Sequence, residues 1–122
     1  MDKAQALHDF WSSFGWNAYD EYSVPDDTHT PYITYSVSTD SLGQPIPLTA
    51  SLWDRSSSWK NVTEKADQIA EYIGYGHATK KVEDGYLYIT KGNAFAQRMN
   101  DPEDDMIKRI YLSITCEFLT PF

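Results

Sequence analysis

The chain has 122 residues, with ten Lys and Arg against 18 Asp and Glu and a formal net charge of −8. That length fits one domain, 1–122, and area scaling gives about 6,700 Å² of folded surface against about 20,000 Å² unfolded, so no disulfide or metal is required to bury a core. A surplus of carboxylates gains nothing from phosphates or anionic headgroups, which excludes charge-driven adhesion to nucleic acid or to a membrane surface.

From Ala4 to Phe14, Leu7, Phe10, Trp11 and Phe14 fall at i, i+3, i+4 and i+7, one stripe of a helix that Gly15 would stop. Residues 16–30 carry Asp20, Glu21, Asp26 and Asp27 around Pro25 and read mainly as a connector, with room for a short strand about Tyr19 to Val24. Tyr32 to Ser38 alternates Ile33, Tyr35 and Val37 against polar neighbours, and Leu48 to Asp54 alternates Leu48, Ala50 and Leu52 against Thr49, Ser51 and Trp53. The turn-forming run Asp40 to Pro45 between them predicts an antiparallel hairpin with a long loop, with Pro31 and Pro47 each just ahead of a strand. A second helix is expected from Trp59 to Ile73 on the stripe Val62, Ala66, Ile69 and Ile73. Ser56, Ser57 and Ser58 supply its N-cap, Gly74 a left-handed C-terminal cap, and Gly74-Tyr75-Gly76 a bend.

Glu83-Asp84-Gly85 marks a turn into a short strand, Tyr86 to Lys91. Ile107 to Leu119 alternates most cleanly, with Ile110, Leu112, Ile114, Cys116 and Phe118 on one face, and should be central to the sheet. Residues 92–106 between these strands are too long for a tight hairpin and are expected to form a loop with a function of its own. The order α-β-β-α-β-β implies an α+β fold, a mixed and mainly antiparallel sheet of about four strands with the two helices packed on it.

Little in this sequence has the pattern of a catalytic centre. His8, His29 and His77 have no zinc-ligand spacing and read as surface or partly buried side chains. There is no Gly-x-Ser-x-Gly elbow, and the serine run is explained by capping. Cys116 lies on the apolar side of its strand, where a thiol is buried rather than reactive, and a lone cysteine forms no internal disulfide. The start, Met1-Asp2-Lys3-Ala4, has no charged-then-apolar leader, so folding in the cytoplasm is expected, and every apolar window falls far short of a membrane span. The acidic runs 20–27 and 101–105 lack the EF-hand pattern and read as solvated loops. A small metal-dependent hydrolase using them remains an alternative of a different class, as does a monomeric ligand-binding module. Tyr32, Tyr86, Tyr88 and Tyr111 fall where they would in part line an outer sheet face, and aromatics there suit protein contacts.

Thr30-Pro31-Tyr32-Ile33-Thr34-Tyr35-Ser36-Val37, the Leu48 to Trp53 strand, the Trp59 to Ile73 helix and Asp105-Met106-Ile107-Lys108-Arg109-Ile110-Tyr111-Leu112-Ser113 together resemble small tail-terminator (tail-completion) proteins of long-tailed bacteriophages and prophages. The resemblance extends from about Trp16 to Leu119 and rests on order, spacing and size. It implies a non-enzymatic structural protein of the virion tail, assembled in the host cytoplasm as a ring, commonly a hexamer. That ring caps the tail tube and offers a surface to the head's connector; a head–tail connector or other neck protein of the same virion is the near alternative. Such proteins bring no cofactor, metal or catalytic residue to carry over. The expected partners are further copies of the chain, the tail tube protein and the connector protein, with DNA passing the channel unbound. Phe95, Arg98 and Met99 are the expected contact residues, and Asp101, Glu103, Asp104 and Asp105 the exposed charge beside them.

Overall fold

The computed structural model describes residues 1–74 and 78–122. It is α+β, in the order α1 (Lys3–Ser12), β1 (Asn17–Asp20), β2 (Tyr32–Tyr35), β3 (Ile46–Arg55), α2 (Lys60–Gly74), β4 (Ala78–Val82), β5 (Gly85–Met99) and β6 (Ile107–Leu119). Among the described residues the strands form one sheet of six in the order β1-β2-β3-β6-β5-β4, parallel between β1 and β2 and antiparallel elsewhere. Asp2 starts α1 through a capping box: its carboxylate accepts from the Gln5 N–H at 2.8 Å while the Gln5 side chain accepts from the Asp2 N–H. Ser58 caps α2, its hydroxyl accepting from the Lys60 N–H at 3.1 Å.

Both helices lie on one face of the sheet. Leu7, Phe10 and Trp11 of α1 and Val62, Ile69 and Ile73 of α2 pack with Ile33, Leu52, Leu87, Ile89 and the expected inner row of β6, Ile110 to Phe118, in a single core. Helix α1 touches β1 and β4, the two edges of the sheet, so the sheet curls about the helices and its outer face carries no helix among the described residues. The accessible surface, 7044 Å², is close to the value length alone suggests. No helix among the described residues is long and apolar enough to cross a membrane.

Four expectations need correction. The sheet has six strands rather than about four, because β1 and β4 are short and barely patterned: β1 buries only Ala18, and in β4 only Ala78 and Val82 are buried around Thr79, Lys80 and Lys81. Residues 92–99 are not loop. Strand β5 continues through Met99, with the pairing to β6 slipping between Lys91 and Ala96, and that irregularity hides the alternation from the sequence. Gly92 permits the close approach, since a Cβ there would lie 3.0 Å from the Ser113 backbone. Only 100–106 remains as a connection. Pro47 lies inside β3, exposed and opposite Thr115, rather than ahead of it. Gly74 is the last residue of α2 and does not take the left-handed conformation, while the rest of the expected bend, Tyr75 and Gly76, lies outside the described residues, as does His77.

The expected hairpin is present, β2 pairing antiparallel with β3. Beyond Tyr35 the Ser36 N–H still donates to the Thr49 carbonyl at 2.8 Å, and the Ser36 Oγ accepts in return from the Thr49 N–H at 2.9 Å. Strand β6 is central, between β3 and β5.

Candidate functional site

Strand alternation that sends Leu52, Ile110 and Leu112 inward sends their neighbours to the outer face. The register then sets two rows across the sheet: Tyr32, Trp53, Arg109 and Met99 in one, and Tyr19, Thr34, Ser51, Tyr111 and Gln97 in the next. Tyr32 stacks on Trp53 with centroids 6.2 Å apart and planes at 22°, and Tyr19 meets Tyr32 edge-on at 6.1 Å. The Arg109 guanidinium lies between two rings, 4.7 Å from the Trp53 centroid and 5.6 Å from that of Tyr111. Two polar bonds fix the set: Trp53 Nε1–H donates to Thr34 Oγ1 at 2.9 Å, and Arg109 Nε–H to the buried Ser51 Oγ at 3.0 Å. Burial raises the Tyr32 phenol above its ordinary value, so the row is neutral apart from Arg109.

Chemically this is an immobilised guanidinium in an aromatic setting. Its Nε is committed to Ser51, it has no carboxylate partner among the described residues, and its terminal N–H groups remain to meet an anion as a fork. The Tyr19, Tyr32 and Trp53 rings are turned toward one another. That arrangement suits protein contact better than base stacking, which needs open ring faces and a basic groove.

The residues expected to make contacts divide between the faces. Phe95 is partly buried against the core. Arg98, opposite Ile110, stacks on Trp59 at 4.9 Å, with Lys108 on the same ring at 5.5 Å, so it braces the start of α2. Met99, opposite Arg109 and 37% exposed, is the one of the three that joins the outer rows. The acidic residues 101–105 are partly engaged. Asp101 accepts from the Glu103 N–H at 2.9 Å, and Asp104 accepts from the Met106 N–H at 3.0 Å and pairs with Arg55. The Arg55 hydrogen bond, then the Met106 N–H, hold the Asp104 carboxyl below its ordinary range. The Asp105 carbonyl accepts from Lys108 Nζ, and Glu103 and the Asp105 side chain face solvent.

Trp53, Arg109, Tyr19, Thr34 and Ser51 are the members that reasoning on the sequence did not single out. Tyr32, Tyr86, Tyr88 and Tyr111 are on the outer side of their strands, as the alternation indicated. Elsewhere, His8 Nδ1 lies 2.9 Å from the Tyr35 hydroxyl, and burial, with the Asp20 charge second, raises that phenol. His29 is exposed. Cys116 is fully buried, and its thiol is pushed up to about 12 by burial and, second, by Glu117. Among the described residues no three His, Cys, Asp or Glu are grouped to hold a metal ion. The chain matches no protein-family model and has no significant match among curated proteins.

Proposed function

We propose that this chain is a structural assembly protein of a long-tailed phage or prophage virion, a tail terminator that closes the tail tube as a ring and presents a surface to the head connector. The observation that carries the reading is the outer sheet face. Strands β1, β2, β3 and β6 hold ordered aromatics and one arginine that neither α1 nor α2 covers, while both helices pack into the core on the other side. Aromatic rings and arginine are the side chains that contribute most when buried between proteins. Both sheet edges lie against α1, which favours association through the face over addition of strands at an edge. In a ring, the remaining carboxylates serve solubility and repel DNA phosphates from the channel.

The experiment is to add the purified protein to tail tube subunits during polymerisation and to measure tube lengths by electron microscopy. A terminator stops growth at a dose set by the number of tube ends. Unchanged lengths, with the protein found instead at isolated connectors, would move the assignment to a neck protein.

A further inference from the structure

We propose that the outer-face patch centred on Arg109 receives the Asp20-Glu21-Tyr22-Ser23 turn of a second copy of this chain. The inference rests on the ring reading and names the contact that would build the ring.

The turn is held rigidly, the Glu21 N–H donating to the Tyr35 carbonyl at 2.9 Å, while its Glu21 and Tyr22 side chains meet no partner among the described residues. Its backbone closes through the Ser23 N–H to the Asp20 carbonyl at 2.9 Å, and the Asp20 carboxylate accepts from the Tyr22 N–H at 2.9 Å. This fixed turn carries the most exposed large apolar side chain described, Tyr22 at 90%, with the exposed Glu21 beside it. The patch offers the complement: a guanidinium fork without a carboxylate among the described residues, lying over the rings of Trp53 and Tyr111. Glu21 would take the fork in paired charge-assisted hydrogen bonds, and the Tyr22 ring would pack edge-to-face beside it.

Charge is segregated in a way that fits. No Lys or Arg occurs between Lys3 and Arg55, so β1, β2 and the acidic connector between them contribute carboxylates and no cation of their own. Within one copy the two features do not meet. Arg109 shares a register row with Asn17, at the start of β1, whereas the turn follows Asp20, at the end of β1, and β1 is three strands from β6, about 14 Å across the sheet. Complementary patches on different sides of one chain make a heterologous, head-to-tail contact, which propagates and closes when the rotation allows.

A charge exchange tests this. Self-association of the full chain is followed by sedimentation velocity and native mass spectrometry, alone and with tail tubes. Arg109→Glu and Glu21→Lys should each weaken it about tenfold or more, and an equimolar mixture of the two variants should recover it, because every contact then pairs a matched or a fully exchanged couple. Glu21 is exposed, so Glu21→Lys remains informative even if Arg109→Glu folds poorly. In parallel, Tyr22→Cys combined with Gln97→Cys should give a ladder of disulfide-linked multimers under mild oxidation. A ladder that stops at dimer, or assembly of the parent chain that neither charge variant alters, overturns the docking contact and leaves the ring reading in place. Weakening by Arg109→Glu with no recovery in the mixture overturns the second copy as occupant. A parent chain that stays monomeric with and without tubes overturns the ring reading itself.

Discussion

Arg109 lies over Trp53, 4.7 Å from ring centre to guanidinium carbon, across the register pair that joins β6 to β3. With Nε held by Ser51, the arginine loses most of its rotamer freedom before any partner arrives, and a preorganised fork binds at lower entropic cost. Trp53→Ala removes the stacking partner of both Tyr32 and Arg109 and the bond to Thr34, and should cost about 1–3 kcal/mol in urea unfolding. Trp53→Phe, which keeps a ring face, should recover most of it.

The inner face predicts a different scale. Leu112 is fully buried at the centre of β6, and Leu112→Ala should cost about 2–5 kcal/mol, whereas Thr115→Ala on the outer face of the same strand should lie within about 0.5 kcal/mol of the parent. Chemical denaturation at neutral pH measures both. Equal effects would contradict the one-sided core.

The Cys116 thiol, held at about 12 by burial, should be unreactive to maleimide at pH 8 in the folded chain and become reactive only with global unfolding. Its folded value is raised, so the contribution is fully present below the ordinary thiol value of 9.0 and is lost as pH rises from there toward about 12. Cys116→Ser should flatten that alkaline decline in stability, together with a loss of stability at neutral pH from the buried hydroxyl.

The connection at 100–106 supplies a prediction at the acid end. The Asp104 carboxyl is lowered by Arg55, so its contact is fully formed above the ordinary aspartate value of 3.8 and is lost as pH falls through the lowered folded value. Hydrogen exchange should show 96–99 protected by pairing with β6 and 103–105 exchanging fast in the isolated chain. Arg55→Gln should leave the first unchanged and loosen the Met106 amide, which donates to Asp104.

Where a pattern ran long enough the sequence was legible. Strand β6 shows six inward and six outward positions before Leu119, and α2 repeats its apolar stripe over four turns, so both were placed to within a residue or two. Strand β1 is legible only as room for a short strand about Tyr19 to Val24, displaced by two residues or more, and β4 not at all, because five residues or fewer give too few alternations to separate from a connector; the far half of β5 is hidden because its bulge shifts the phase. The outer-face tyrosines followed from alternation alone. The meeting of Trp53, Ser51 and Arg109 did not, since it depends on the register between strands more than 50 residues apart, which is set by the whole core rather than by local pattern.

Copies of this chain are proposed to close the end of a tail tube. The most direct measurement is electron microscopy of purified tubes incubated with gold-labelled protein, with averaging of end-on views. The expected result is label confined to one end of each tube, over a closed ring of copies around an open channel. Label distributed along the tube wall, or tube ends left bare at saturating protein, would contradict it.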